Sequence, residues 1–123
     1  MNGRNLLIDS NIIIYLSQKQ LTLDAFASIN DELFISDITY LETLGFPFVN
    51  DADKNFMIEL LSQFNRIGLT ESIIQATLEM KQNYKIKLPD AIIAATAKVR
   101  KMILVTRNIK DFERFDLLIS NPM

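Results

Sequence analysis

The segment Leu88-Pro89-Asp90-Ala91-Ile92-Ile93-Ala94-Ala95-Thr96-Ala97 leaves this chain few ways to fold. Proline suits the first turn of a helix, where its missing N–H has no partner to lose. From Ala91 to Ala97 the residues are small and almost all apolar, so a helix here has no face fit for water. It is too short to span a bilayer and must be buried in a protein core. Met102 to Thr106 then reads as a short, fully buried strand of the kind that parallel sheets contain. A carboxylate, Asp90, stands at the mouth of this buried helix. By itself it need only complement the helix dipole, typically worth ~0.3–1 kcal/mol.

Similar units recur along the chain. Leu6-Leu7-Ile8 is a buried strand, Asp9-Ser10-Asn11 a polar turn, and Ile12 to Leu16 a helix, with Asp9 or Ser10 as its cap. Leu21 to Ile29 reads as a short helix beginning near Thr22 or Asp24, and Leu33 to Ser36 as a second strand. Ser36 or Asp37 caps a helix from Ile38 toward Phe46, which Gly45 and Pro47 end. On it Glu42 shares a face with Ile38 and Phe46, where a glutamate among apolar neighbours needs a compensating partner. Asp51 to Phe64 is an amphipathic helix, Ile67 to Leu69 a brief strand, and Glu71 to about Asn83 a helix capped by Thr70. Tyr84 to Lys87 is a basic connector into the Asp90 helix; Arg107 to Phe112 is a polar turn; Leu117 to Ile119 is a last strand. Strands alternating with helices predict an α/β fold with a central, mainly parallel sheet flanked by helices on both faces, in three layers. At 123 residues, without repeats or linkers, the chain is read as a single domain over residues 1–123.

Composition narrows the chemistry. There is no cysteine and no histidine, which removes thiolates, Ser-His-Asp triads and the commonest metal ligand. Arg4 precedes an apolar run to Leu16, but Asp9, Ser10 and Asn11 interrupt it and no small-residue cleavage site follows, so a cytoplasmic protein is expected. Charge is divided: residues 1–80 hold four basic and eleven acidic side chains, residues 81–123 nine basic and four acidic. Lys85, Lys87, Arg107, Lys110 and Arg114 flank two of the acids singled out below. They are either a solvated face or a track for a phosphate backbone.

In open α/β sheets ligands gather beyond the carboxyl ends of the strands, where strand order reverses. Asp9 follows the first strand, Asn108 and Asp111 follow the Met102–Thr106 strand, Glu42 lies on the helix after the second strand, and Asp90 opens its helix. Such carboxylates repel one another unless a cation joins them. An all-oxygen set suits Mg²⁺ or Mn²⁺, which can polarise a phosphodiester and acidify a water, supplying the nucleophile that the missing histidine denies.

Ile8-Asp9-Ser10-Asn11, Ile35-Ser36-Asp37-Ile38-Thr39-Tyr40-Leu41-Glu42, the Leu88–Ala97 segment and Leu104-Val105-Thr106-Arg107-Asn108-Ile109-Lys110-Asp111-Phe112 resemble, in this order, the four motifs of PIN-domain ribonucleases, and most of all their VapC-type toxin branch. The resemblance implies metal-dependent endoribonuclease activity. It makes Asp9, Glu42 and Asp90 metal-binding acids. Family members place the fourth acid either where this chain has Asn108 or three residues later, at Asp111. Asp111 is therefore carried as the fourth acid and Asn108 as an accessory ligand, with Asn11 and Thr106 orienting the others. An RNA substrate, a homodimer and a cognate antitoxin are implied as partners. The antitoxin would be held by Phe46, Phe48 and the Met57/Leu61 face, although Thr43 to Ala52 depart most from the pattern. The other reading is a PIN-like module that binds RNA or protein without cleaving it. A phosphoryl receiver would need an acidic pair before Asp9, and a haloacid-type phosphatase an aspartate where Asn11 stands.

Overall fold

The computed structural model describes residues 3–123. Strands β1 (Asn5–Ile8), β2 (Glu32–Ser36), β3 (Asn65–Ile67), β4 (Ile103–Val105) and β5 (Ile119–Ser120) form one sheet in the order β3-β2-β1-β4-β5, with every pairing parallel. Parallel neighbours need crossover connections, and helices provide them. They are α1 (Ser10–Ser17), α2 (Asp37–Leu44), α3 (Asp51–Leu61), α4 (Glu71–Asn83), α5 (Leu88–Arg100) and α6 (Ile109–Phe112).

The two-residue period of the strands sorts side chains into two cores. Leu6, Ile8, Ile35 and Val105 meet Ile12, Ile13 and Leu16 of α1 and Met57 and Leu61 of α3 on one face. Leu7 and Leu104 meet Ile73 and Met80 of α4, the Ala91–Ala97 run of α5, Phe112 and Phe115 on the other. All seven residues from Ala91 to Ala97 are buried, as their composition requires. Their small side chains let α5 sit tight against the sheet and α4, and each buried isoleucine contributes roughly 1.5–3 kcal/mol.

Beyond α2 and α3, which stop two and three residues early at Leu44 and Leu61, four segments differ from the sequence expectations. Leu21–Ile29 forms only a 3₁₀ turn at Leu23–Ala25, because the Phe26 carbonyl accepts from Arg4 Nη2 and the Ser28 N–H donates to Asp31 Oδ2. β3 begins two residues early, at Asn65, since edge strands tolerate polar residues; Arg66 there bonds Asp37 and covers the Tyr40 ring. The last strand is Ile119–Ser120, leaving Leu118 exposed. The Arg107–Phe112 turn contains α6, anchored by the buried Phe112.

Strand order reverses between β1 and β4. Their carboxyl ends therefore open onto one crevice, and Asp9 and Thr106 stand directly at its edge.

Candidate active site

Asp9 is the most constrained polar residue of the crevice, only 5% exposed. Its backbone N–H extends the ladder to the Val105 carbonyl at 2.9 Å, and its side chain caps α1. Oδ1 accepts from Ser10 N at 2.8 Å; Oδ2 accepts from Thr106 Oγ1 at 2.8 Å and Asn11 Nδ2 at 3.1 Å. Asn11 Oδ1 in turn accepts from Arg107 N, and Thr106 Oγ1 accepts from Asn108 N. Asn11 and Thr106 thus lock the Asp9 carboxylate and the turn after β4 to each other, so the two strand ends cannot move independently.

Burial raises the Asp9 carboxyl above its ordinary range; the Thr106 and Ser10 hydrogen bonds oppose this, and the charges of Asp90 and Glu42 add to it. Asp90, half-buried in the first turn of α5, is raised as well, by burial first and then by the charges of Asp111 and Glu42, with Lys87 pulling the other way. The four acids come from four separate segments, and the charges of Asp90 and Glu42 reach Asp9 while those of Asp111 and Glu42 reach Asp90. Asn108, the N-cap residue of α6, is exposed and touches the cluster through its backbone N–H to Thr106, whereas the Asp111 charge reaches Asp90.

Glu42 is not buried in an apolar stripe. It is exposed, as are Leu41 and Phe46, and the face that α2 buries is Thr39 and Thr43. Its compensating partner is a hydroxyl: Ser10 Oγ donates to Glu42 Oε1 at 2.8 Å and lies 3.2 Å from Thr39 Oγ1. Sequence reasoning treated Ser10 only as a cap. The signal for more was available, since Thr39 and Glu42, three apart, present one face of α2 to the start of α1.

The basic residues are all exposed, but they are not equivalent. Lys87 acts on Asp90. Arg107 lies over the Tyr15 ring and bonds its hydroxyl. Arg114 does not reach toward the crevice: it lies over the Tyr84 and Phe115 rings and donates to the Lys85 carbonyl.

Beside Glu42 a cavity of about 450 Å³ opens between α1, α2 and α3, walled by Ile14, Phe46, Phe48, Val49, Phe56 and Met57. Leu61, expected in this wall, is buried in the core instead, on the sheet side of α3.

The donor set is entirely oxygen, the chemistry that Mg²⁺ and Mn²⁺ prefer. Among the described residues no three acidic side chains stand close enough to grip one ion directly. That still fits magnesium, which keeps several waters and binds through one or two carboxylates.

Residues 6–118 match the family model for the PIN domain. A curated relative, "Ribonuclease VapC" of Rickettsia bellii, is 30% identical over 120 residues, 89% of each chain. A structure described as a toxin–antitoxin complex from Klebsiella pneumoniae holds a chain 34% identical to this one, with a TM-score of 0.76 over 96% of this chain and 98% of that one. VapBC-1 from nontypeable Haemophilus influenzae is 26% identical, with a TM-score of 0.78 over 96% and 98%.

Proposed function

The chain belongs to the PIN-domain family, in its VapC-type branch, and from that premise we propose that it is a Mg²⁺- or Mn²⁺-dependent endoribonuclease and the toxin of a toxin–antitoxin pair. The observation that carries the proposal is that Asp9, at the reversal point of the sheet, feels the charges of Asp90 and Glu42, and Asp90 those of Asp111 and Glu42, on top of the burial that is the first cause of both raised carboxyls.

Asp9, Glu42, Asp90 and Asp111 would hold the ion, some directly and some through its waters, with Asn108 as an accessory oxygen. A bound Mg²⁺ or Mn²⁺ supplies positive charge for the phosphodiester and activates a water for in-line attack. The protein's part is to fix the acids. Thr106, Asn11 and the Ser10 N–H hold Asp9 in one orientation, so it need not reorganise when substrate arrives. The Ser10 hydroxyl turns the exposed Glu42 toward the same crevice. Lys87 and Arg107, at the mouths of α5 and of the turn after β4, meet the RNA backbone, with Lys85 and Lys110 further out.

Toxin–antitoxin complexes among the relatives support an antitoxin partner, which we place in the apolar cavity beside Glu42. An amphipathic helix fits between α1, α2 and α3. From there an arginine reaches the acids and pairs with them in place of the ion. The exposed apolar side chains outside that cavity, Ile29, Leu41 and Leu118 among them, favour a homodimer as well.

The test is cleavage of a mixed RNA substrate with Mg²⁺ or Mn²⁺ and with chelator. Activity should require the metal and fall by about two orders of magnitude or more in Asp9→Asn and Asp90→Asn, given that an ion supplies several kcal/mol. Metal-dependent RNA binding without cleavage would favour the binding-module reading instead.

A further inference from the structure

A second cavity, of about 670 Å³, lies on the far side of the basic connector, between α4, α5 and the turn after α6. Its lining includes Tyr84, Asn83, Lys98, Arg114, Phe115 and Asp116. Three observations give it a chemistry. Tyr84 is 44% exposed, so its ring is not spent in the core. It is nevertheless packed on one side: the ring meets Phe115 edge-on, 4.9 Å between centroids and 76° between planes. And Arg114 is fixed beside it, its guanidinium 4.9 Å from the Phe115 centroid and 5.5 Å from that of Tyr84, with Nη2 donating to the Lys85 carbonyl at 3.0 Å.

A rigid aromatic ring, a planar cation and polar groups at the rim are what a nucleobase needs, with a π-face to stack and an edge to hydrogen-bond. An apolar peptide would have to strip water from Lys98, Arg114 and Asp116 with nothing to return. The location fits too. Backbone at Tyr84 (φ −137°, ψ 151°) and at Lys87 (φ −70°, ψ 149°) is extended, and the connector spans at most about 10 Å from Tyr84 to Lys87, the N-cap of the helix that Asp90 opens. The exposed cations Lys85 and Lys87 line that path.

We propose that this cavity receives a base of single-stranded RNA, stacked on Tyr84 and Arg114, from a nucleotide a few positions away from the scissile phosphate. The inference rests on the ribonuclease reading and names a subsite of that substrate. Tyr84 and Arg114 are positioning residues here, remote from the acids.

The probe is a short single-stranded RNA carrying 2-aminopurine, whose fluorescence falls on stacking. Binding is read in the Asp9→Asn protein without metal, and cleavage in the otherwise native chain with Mn²⁺. Tyr84→Leu should weaken binding by roughly five- to one-hundred-fold, the range that loss of one base–aromatic stack gives. It should also abolish the quench and raise KM with little change in kcat, while Tyr84→Phe and Tyr84→Trp retain binding. Thermal melting of each variant separates loss of the stack from loss of the fold. If Tyr84→Leu is less stable, Arg114→Gln serves in its place, with weaker binding and a smaller quench expected. Unchanged binding and quench in a folded variant, or no RNA binding by the parent protein, would overturn the proposal. Quenched, Tyr84-dependent binding without cleavage would sink the nuclease reading alone and leave the subsite standing.

Discussion

An aspartate guards each end of β1, and the two are built in opposite ways. At the amino end Asp31, its side chain only 2% exposed, accepts from Arg4 N, Nε and Nη2 and from Ser28 N, at 2.8 to 3.3 Å. The Arg4 guanidinium and those N–H groups hold its carboxyl well below the usual range. The chain comes so close here that a side chain at Gly3 would collide with the Asn30 carbonyl. At the carboxyl end Asp9 is more deeply enclosed and also hydrogen-bonded, yet its carboxyl is raised, because burial and two further acids outweigh the bonds. A charge that meets its counter-charge supports the fold. A buried charge surrounded by its own sign costs stability, and such placements mark sites with other work.

The largest effect expected is a double dissociation. Asp9→Asn should reduce RNA cleavage by about two orders of magnitude or more, while leaving a folded protein, because the amide oxygen can still cap α1. Asp31→Asn should do the reverse: cleavage measured well below the melting temperature stays at the parent rate, and the melting temperature falls. If Asp31→Asn lost activity in step with Asp9→Asn, the division of labour between the two ends would be wrong.

The same comparison shows what the sequence could and could not reveal. Apolar runs located the three central strands β1, β2 and β4 and the buried α5, because a strand with helices on both faces has to be continuously apolar, whereas the polar edge strands β3 and β5 were met only at one residue each. The placement of Asp9 followed from strand and turn alone. Pattern reasoning failed where a distant partner overrides local preference. Leu21–Ile29 has helical periodicity, but Arg4 and Asp31 claim the carbonyl of Phe26 and the N–H of Ser28 that a helix would use. Glu42 was placed on an apolar face because Ile38 and Phe46 share it, whereas α2 buries two threonines instead. For Arg114 the sequence showed only a charge on a candidate phosphate track; its stacking on aromatic rings is a contact fixed by three segments that only the fold brings together.

Opposite shifts predict opposite responses to acid in metal-free protein. Asp9 and Asp90 titrate above their unfolded values, so the strain of their charges is fully present at neutral pH. It is relieved as pH falls through their raised folded-state pKa values toward the unfolded value near ~4. Asp31 titrates below its unfolded value, so its contribution is present above ~4 and is lost as pH falls further. Relative to Asp9→Asn, the parent protein should therefore gain melting temperature between pH 7 and about 4.5. Relative to Asp31→Asn, it should lose melting temperature below about pH 4. The differences between curves are the readout, since carboxylates that do not couple to the substituted residue act equally in both. Parallel curves for parent and Asp9→Asn from pH 7 to 4.5 would show that the charge on Asp9 is not strained.

The smallest effect decides between two roles for Asp90. In the first turn of α5 its charge complements the helix dipole, an interaction worth ~0.3–1 kcal/mol at an exposed position. Against that stand its partial burial and the charges of Asp111 and Glu42, which together outweigh Lys87 and raise its carboxyl. Among the described residues its carboxylate makes no hydrogen bond to offset them, unlike that of Asp9 or Asp31. Asp90→Asn keeps the shape and removes the charge. If repulsion exceeds the dipole term, the metal-free variant melts about 1–2 °C higher than the parent at pH 7, a shift of the size expected from a few tenths of a kcal/mol in a domain of this length. Cleavage is lost at the same time. Added salt should narrow the gap by screening the repulsion. A lower melting temperature would instead make Asp90 a helix-capping charge, and the convergence of four acids would then reduce to three.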